Sequence, residues 1–183
     1  HDYIYARRQR GAGTVRINQI PYVVEAGVAS LSEFDQIVLV GNQIPIPTFS
    51  YKGKPLTKVP EGCEIRTLAT VDCDILDALT RLAETIGATE KSNDRYERQT
   101  VEQPTGALSP LAIEESIANL MPENAIVADE ALLEGFGFLP NTDGAAAHDH
   151  LLADTGGAIG NGLPFALGAS VACPDRKVIC LSG

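Results

Sequence analysis

The chain has 183 residues, of which 44% are hydrophobic and 21% charged, as in ordinary globular proteins. Its 24 acidic and 14 basic residues give a formal net charge of −10, which repels nucleic acid and anionic membrane surfaces. The sequence therefore predicts a protein that binds neither.

The sequence pattern indicates neither a targeting signal nor a metal-binding or redox cysteine pair. No apolar run approaches the ~20 residues that span a bilayer, and the opening HDYIYARRQRG lacks the apolar core of a signal peptide. None of the four cysteines forms a CxxC pair that would indicate zinc or dithiol chemistry. We expect a soluble protein of the reducing cytoplasm, with the arginines of YARRQRG on a solvated surface.

The first half of the chain alternates helical and strand patterns. Apolar spacing predicts a helix within 22–34, and the short apolar run 37–40 predicts a buried parallel strand. Prolines make 43–55 a loop. A strand at 64–69 and an amphipathic helix at 73–87 follow, so this half resembles the latter part of a doubly wound unit.

A polar, charged segment at 88–106 has no apolar period and predicts an interdomain linker. An exposed charged helix in its first half is the alternative. Beyond it, Ser109 as N-cap and Pro110 at the first helical position predict a helix that runs to about Met121.

The rest of the chain again alternates strand and helix. Strands are predicted at 125–129, 150–154 and 177–183, with a small-residue helix at 160–172. The expected fold class is α/β, with two partial doubly wound parallel-sheet (Rossmann-like) units joined by the polar linker. Asp129 and Glu130 end the first of these strands. They mark either a site edge, because ligands lie beyond the carboxyl ends of such strands, or ordinary solvated carboxylates.

The His-x-His pattern of His148, Asp149 and His150 is a known ligand spacing for metals on strands. No third ligand is recognisable in the sequence. We therefore expect a loop histidine near a substrate entrance, with a purely structural role as the alternative.

A glycine cluster precedes the last helix, where backbone amides could approach a phosphate. A dinucleotide fingerprint that starts at Gly160 would need glycine at Phe165 and an acid near Cys180, and the sequence has neither. A Walker G-K-[ST] motif is also absent. A tight turn with close helix packing remains the alternative. The clustered residues are Gly156, Gly157, Gly160 and Gly162.

In this order the pieces resemble the diphosphate-binding domain of thiamine-diphosphate-dependent enzymes of the acetolactate synthase and benzoylformate decarboxylase type. The motifs are HD-x-L from His148, TGGAIG-x-GLP from Thr155 and PDR from Pro174. In that family such a segment runs into G-D-G-S. Gly183 therefore resembles the first glycine of the cofactor and metal motif, and the chain is expected to be a piece of a larger enzyme.

The resemblance implies a domain organisation and a set of cofactors. Residues 1–87 resemble the C-terminal half of the family's central domain, 88–106 the linker, and 107–183 the N-terminal part of the thiamine diphosphate-binding domain. Thiamine diphosphate and Mg²⁺ are implied for the intact protein. Some relatives carry FAD in the central domain, and the resemblance leaves flavin open.

The resemblance also assigns cofactor contacts. Ile159 matches the bulky residue that wedges beneath the cofactor, although an ordinary core isoleucine is the alternative. Gly157 matches a glycine whose backbone contacts the pyrimidine, and Ala158 departs from a glycine of many relatives. The loop that presents hydroxyls to the diphosphate in relatives corresponds to Ala131, Leu132 and Leu133. Because these side chains lack hydroxyls, only their main-chain amides could serve.

The implied reaction is that of a 2-oxo acid decarboxylase or carboligase, with pyruvate as donor and a dimeric or tetrameric enzyme completed by its remaining domains. The family's activating glutamate and Mg²⁺ ligands match no position here, so neither a catalytic nor a metal-binding residue is expected in the chain. The isolated 183 residues are predicted to be inactive. A noncatalytic truncated α/β interaction module and a Rossmann-type nucleotide-binding protein remain the alternatives.

Overall fold

The computed structural model describes residues 1, 3, 5–88, 94–131, 138–152 and 158–182. The chain divides into two compact units. The first comprises His1–Tyr3 and Ile17–Ser92, and the second comprises Ile4–Arg16 and Asn93–Gly183. Within the described ranges no helix has the length and apolar character needed to cross a membrane.

Helices and strands alternate along most of the chain, which confirms the predicted α/β class. The elements in chain order are β1 (Arg8–Arg10), α1 (Val24–Leu31), β2 (Gln36–Val40), β3 (Glu64–Ala69), α2 (Ile75–Thr85), α3 (Pro110–Leu120), β4 (Ala125–Glu130), α4 (Phe138–Asn141), β5 (His148–Leu152), α5 (Gly162–Ala172) and β6 (Val178–Ser182).

The first unit contains the helix, strand, strand and helix that the sequence predicts, but β2 is not the buried strand expected, because none of its residues is buried and Val38 is 48% exposed. Strands β2 and β3 pair in parallel. Helix α2 begins at the N-cap Asp74, whose side chain accepts a hydrogen bond from the Asp77 amide. Lys58 is fully buried in this unit, where its ammonium group donates to the Pro21 carbonyl at 2.9 Å. That bond satisfies a charge that burial would otherwise penalise.

The second unit is built on a four-stranded sheet in the order β1-β5-β4-β6. The three strands β5, β4 and β6 are parallel, so their carboxyl ends lie at one edge. Every residue of β4 is buried, as expected for a central strand covered on both faces. Helix α3 begins as predicted, with the Ser109 hydroxyl accepting a hydrogen bond from the Ala112 amide.

The core of the second unit lies on one face of this sheet. Ala125 and Val127 alternate along β4 toward that face. Their neighbours come from α3 and α4, and Ile179 and Leu181 of β6 pack against the cluster. The buried members are Ala118, Met121, Ala125, Val127, Phe138 and Ala145.

Two features of the second unit differ from the sequence-based expectation. Within YARRQRG, Arg8–Arg10 form strand β1, which pairs antiparallel with β5, whereas a purely parallel sheet was predicted. The predicted solvated surface is wrong for Arg10, which is buried, whereas Arg7 is exposed. The second half of the predicted linker also makes ordered contacts. The Tyr96 amide bonds to the Thr14 carbonyl, and the Gln99 amide bonds to the Gly144 carbonyl. The assignment of 1–87, 88–106 and 107–183 as separate parts stays a prediction.

Candidate functional site

The carboxyl edge of the second unit's sheet gathers the polar side chains that the sequence indicated. Strand β4 ends at Asp129 and Glu130, which pair with Leu152 of β5 and Ser182 of β6, respectively. The two carboxylates point to opposite faces because side chains alternate along a strand. Both are buried, with 8% and 6% of their surfaces exposed, so the solvated alternative is wrong.

Asp129 lies at the end of a buried hydrogen-bond chain. Its Oδ2 accepts from His150 Nε2 at 3.0 Å, and His150 Nδ1 in turn accepts from the Tyr5 hydroxyl at 2.7 Å. The other oxygen of Asp129 accepts from the Ala131 amide at 3.0 Å. Burial lowers the pKa of His150 more than Asp129 raises it, so the ring stays neutral at pH 7.

Glu130 contacts the turn that precedes α5, on the opposite face of the sheet. Its Oε1 accepts from the Gly160 amide, and its Oε2 accepts from the Gly162 amide at 2.7 Å. Gly160 has φ +95°, a conformation that favours glycine. The glycines thus form a tight turn beside a carboxylate, which favours the turn-and-packing interpretation for these two positions.

Three of the sequence-predicted cofactor residues lie within the described part of the chain. Ala131 follows directly after β4, and its amide is bonded to Asp129. Ala158 and Ile159 lie on the exposed turn before α5, where Ile159 is 83% exposed. Ile159 is therefore not part of a core formed by the described residues, and its role as a cofactor contact stays a prediction. The other four candidates, Gly157, Leu132, Leu133 and Gly183, lie outside the described residues.

A cavity of about 520 Å³ opens beside Ala131 at the same edge of the sheet. Apolar residues of α3 line it, together with Phe138 and Leu181. Buried Glu114 is among the lining residues, and its carboxylate accepts from the Asn141 side chain at 2.8 Å. Apolar walls with a few polar groups are the usual character of a small-molecule site.

The HDH segment lies inside strand β5 and is buried, so the expected loop histidine near an entrance is wrong. His148 Nδ1 donates to the Ala146 carbonyl at 2.7 Å, and burial lowers the pKa of His148 to about 4. Asp149 accepts hydrogen bonds from Arg7 and Arg176. Among the described residues, the His, Cys, Asp and Glu side chains form no group of three that could hold a metal ion.

The arginines near the N-terminus have structural partners in the second unit. Arg10 is 3% exposed and donates to Asp143 and to the Leu139 carbonyl. Burial lowers the pKa of Arg10 and raises the pKa of Asp143. The attraction between the two charges shifts each pKa in the opposite direction, but burial has the larger effect. Tyr5 in the same segment reaches His150, a contact that no local sequence pattern indicates.

Comparison with known proteins shows which enzymes the chain is similar to at this edge of the sheet. Residues 143–183 match the model of the thiamine pyrophosphate enzyme C-terminal TPP-binding domain. The chain is 40% identical over 174 residues to the "Putative acetolactate synthase large subunit IlvX" of Mycobacterium tuberculosis. That alignment covers 94% of this chain and 33% of the relative.

A solved structure has the same fold. The thiamine diphosphate-dependent 4-hydroxybenzoylformate decarboxylase of Rhodococcus jostii RHA1 matches with a TM-score of 0.60 and 20% sequence identity. The match covers 88% of this chain and 33% of that one, so the chain spans about a third of both proteins. The resemblance inferred from the sequence motifs is confirmed: residues 143–183 match the thiamine pyrophosphate-binding domain, and most of the chain is similar to a protein of the acetolactate synthase large-subunit type.

Proposed function

We propose that these 183 residues are part of a thiamine-diphosphate-dependent enzyme that decarboxylates a 2-oxo acid, with pyruvate as donor, and transfers the product to an acceptor. The main support for this proposal is the exposure of Ile159. It is 83% exposed on the turn before α5, within the segment that matches the TPP-binding model. An apolar side chain of this size loses ~1.5–3 kcal/mol of burial energy when left in water, which a ring packed on it would restore.

The described residues suit the ring end of the cofactor but not its diphosphate end. Exposed Ile159 suits an apolar support beneath a ring, and the cavity beside Ala131 offers space at the same sheet edge. The amide of Ala131 is already bonded to Asp129, so it does not suit the diphosphate. We keep Gly157, Leu132, Leu133 and Gly183 as proposed contacts on the resemblance alone. When bound, thiamine diphosphate supplies the electron sink for loss of CO2 from a 2-oxo acid.

The remaining components are proposals of the same kind. Mg²⁺ would supply positive charge to hold the diphosphate, and the resemblance implies that oxygen ligands of the G-D-G motif would hold the metal. Further domains of the same protein, a homo-oligomeric assembly and a cytoplasmic location complete the proposal. Flavin binding is left open.

The first experiment compares the intact mass of the natural protein with the mass that its reading frame encodes. The protein is then titrated with thiamine diphosphate and Mg²⁺. We expect a frame that continues into D-G-S, metal-dependent cofactor binding by calorimetry, and release of CO2 from pyruvate. A protein of 19.4 kDa that binds no cofactor would instead favour the noncatalytic module. Turnover of another 2-oxo acid alone would retain the class and overturn pyruvate.

The role of Ile159 gives a sharper test in the same protein. We expect Ile159→Ala to lower cofactor-dependent turnover by about 10- to 100-fold, because a displaced reactive group costs that much in rate. Its melting temperature should stay near that of the parent, since an exposed side chain stabilises the fold little. The matched control is Val71→Ala, which truncates an 80% exposed residue outside the matching segment. Equal turnover in the two variants would contradict the assignment.

A further inference from the structure

We propose that Glu130 is a positioning residue, which holds the turn that carries Ala158 and Ile159 and occupies the amides that a phosphate would otherwise take. The proposal rests on the proposed function for its catalytic consequence. Its structural basis is the pair of hydrogen bonds from the Gly160 and Gly162 amides to the two oxygens of one carboxylate.

The strand register brings Glu130 to this position. Side chains alternate along β4, so Asp129 faces His150 while Glu130 faces the turn before α5. Glu130 pairs with Ser182 at the last position of the β4–β6 ladder. The carboxylate therefore reaches the turn from a fixed backbone rather than from a loop.

The burial of Glu130 indicates that these bonds are strong. Burying a carboxylate to 6% exposure costs several kcal/mol of hydration unless its oxygens are hydrogen-bonded. Two main-chain N–H groups meet that need, and the N-terminus of α5 adds the favourable partial charge of a helix start. The amides of a glycine turn and the helix end thus have a resident anion.

This arrangement changes the interpretation of the glycine cluster. Backbone amides before a helix usually suggest a phosphate site. Here a tethered carboxylate already holds the Gly160 and Gly162 amides, and a free phosphate would have to displace it. The turn therefore serves to fix Ile159, and the diphosphate must be bound by other residues.

The close packing of Gly162 against Glu130 indicates that this contact requires a glycine at position 162. A Cβ added to Gly162 would lie 2.7 Å from Glu130 Oε2 and 3.1 Å from Glu130 Cβ. Only a hydrogen atom fits between the helix start and the carboxylate. Gly168, in the same helix, has nothing within 4 Å of its added Cβ and so provides a matched control.

The test uses the protein as its reading frame encodes it and begins without cofactor. Hydrogen exchange is followed in the peptide that contains 158–163 for the parent, Glu130→Ala, Glu130→Gln, Gly162→Ala and Gly168→Ala. We expect exchange about tenfold or more faster in Glu130→Ala and Gly162→Ala, and an intermediate rate in Glu130→Gln, which retains one acceptor oxygen. The rate in Gly168→Ala should match the parent.

Inorganic pyrophosphate then probes whether the amides are free for an anion. We expect it to slow exchange of this peptide in Glu130→Ala and to leave the parent unchanged. Equal protection of the parent and Glu130→Ala by pyrophosphate would overturn the proposal. Unchanged exchange in both Glu130→Ala and Gly162→Ala would do the same. Should Glu130→Ala fail to fold, Glu130→Gln and Gly162→Ala provide the same comparison.

Steady-state kinetics separate a positioning role from a general effect on stability. At a temperature where all variants are folded, we expect Glu130→Ala to raise the KM for thiamine diphosphate about tenfold or more, with Glu130→Gln between it and the parent. Unchanged KM in an active Glu130→Ala enzyme would overturn the positioning role. A parent that turns over no 2-oxo acid would refute the proposed function, while the exchange results would still decide whether Glu130 holds the turn.

Discussion

At the scale of single residues, the second unit keeps two histidines of strand β5 neutral. His148 and His150 are 4% and 0% exposed, and burial is the main cause that lowers both pKa values. The hydrogen bond from His148 Nδ1 to the Ala146 carbonyl needs only one ring proton. Both neutral side chains therefore contribute to the free energy of unfolding at neutral pH.

The pH dependence of unfolding follows from this burial. The folded pKa of His148, about 4, lies below the value of about 6.5 expected in the unfolded chain. The unfolded state therefore binds more protons in this window, and the contribution is complete above pH 6.5 and lost as the pH falls toward 4. We expect about 3 kcal/mol to be lost from this group over that range.

Urea unfolding at several pH values measures this effect. The free energy of unfolding should fall more steeply between pH 6.5 and 4 in the parent than in His148→Gln, whose side chain does not titrate. The comparison uses the slope, so a constant loss of stability in the variant does not matter. Parallel slopes would show that His148 is not buried in its neutral form.

At the scale of elements, the connection after β1 depends on a close backbone approach. Gly11 has φ +91°, and a Cβ there would lie 2.4 Å from the Ala146 carbonyl oxygen. The next amide, of Ala12, donates to the Ala145 carbonyl at 2.9 Å. The turn thus fixes β1 against the segment that leads into β5.

Gly11→Ala should therefore destabilise the second unit severely. Gly13 is the matched control, because it has φ +83° but nothing within 4 Å of its added Cβ. Both alanine variants carry backbone strain of about 1–3 kcal/mol. Only Gly11→Ala adds a clash with backbone, so we expect it to lose at least ~2 kcal/mol more in thermal or urea unfolding. Similar losses in the two variants would contradict this packing.

At the scale of the whole molecule, helix α5 presents an apolar stripe to solvent. Leu163, Leu167 and Val171 recur at every fourth position and are 68%, 66% and 75% exposed. Residues four apart share one helix face. A contiguous apolar face of this kind usually marks an interaction surface, which suits the proposal that further parts of the protein or a second subunit cover it.

The 183 residues expressed alone should consequently self-associate. Sedimentation velocity should show species larger than 19.4 kDa, and the double change Leu167→Gln and Val171→Gln should shift the distribution toward the monomer. Leu56→Gln is the control, since Leu56 is 74% exposed but lies in a loop of the first unit. A monomeric parent, or an equal effect of the control, would show that the stripe does not drive association.

Local sequence patterns were sufficient to predict most elements and the resemblance to thiamine-diphosphate-dependent enzymes. The periodicity before β2, the Ser-Pro start of α3 and the glycine cluster before α5 are short-range signals, and each corresponds to an element of the structure. The motifs around His148, Thr155 and Pro174 were likewise enough to predict the similarity to thiamine-diphosphate-dependent enzymes that the comparisons confirm. Such patterns are reliable because helix caps, alternation and tight turns depend on neighbouring residues.

The tertiary structure alone decided what the polar residues near the sheet edge do. Tyr5 and His150 lie 145 residues apart, and Glu130 and Gly160 lie 30 apart, so no local pattern pairs them. Asp129 and Glu130 have the same local surroundings in sequence, yet strand alternation directs one to a histidine and the other to a helix start. Burial and partners depend on the fold of the whole unit. The sequence therefore determined which elements form, and the packing of β1, β4, β5 and α5 decided which charges are buried and which amides remain available to a ligand.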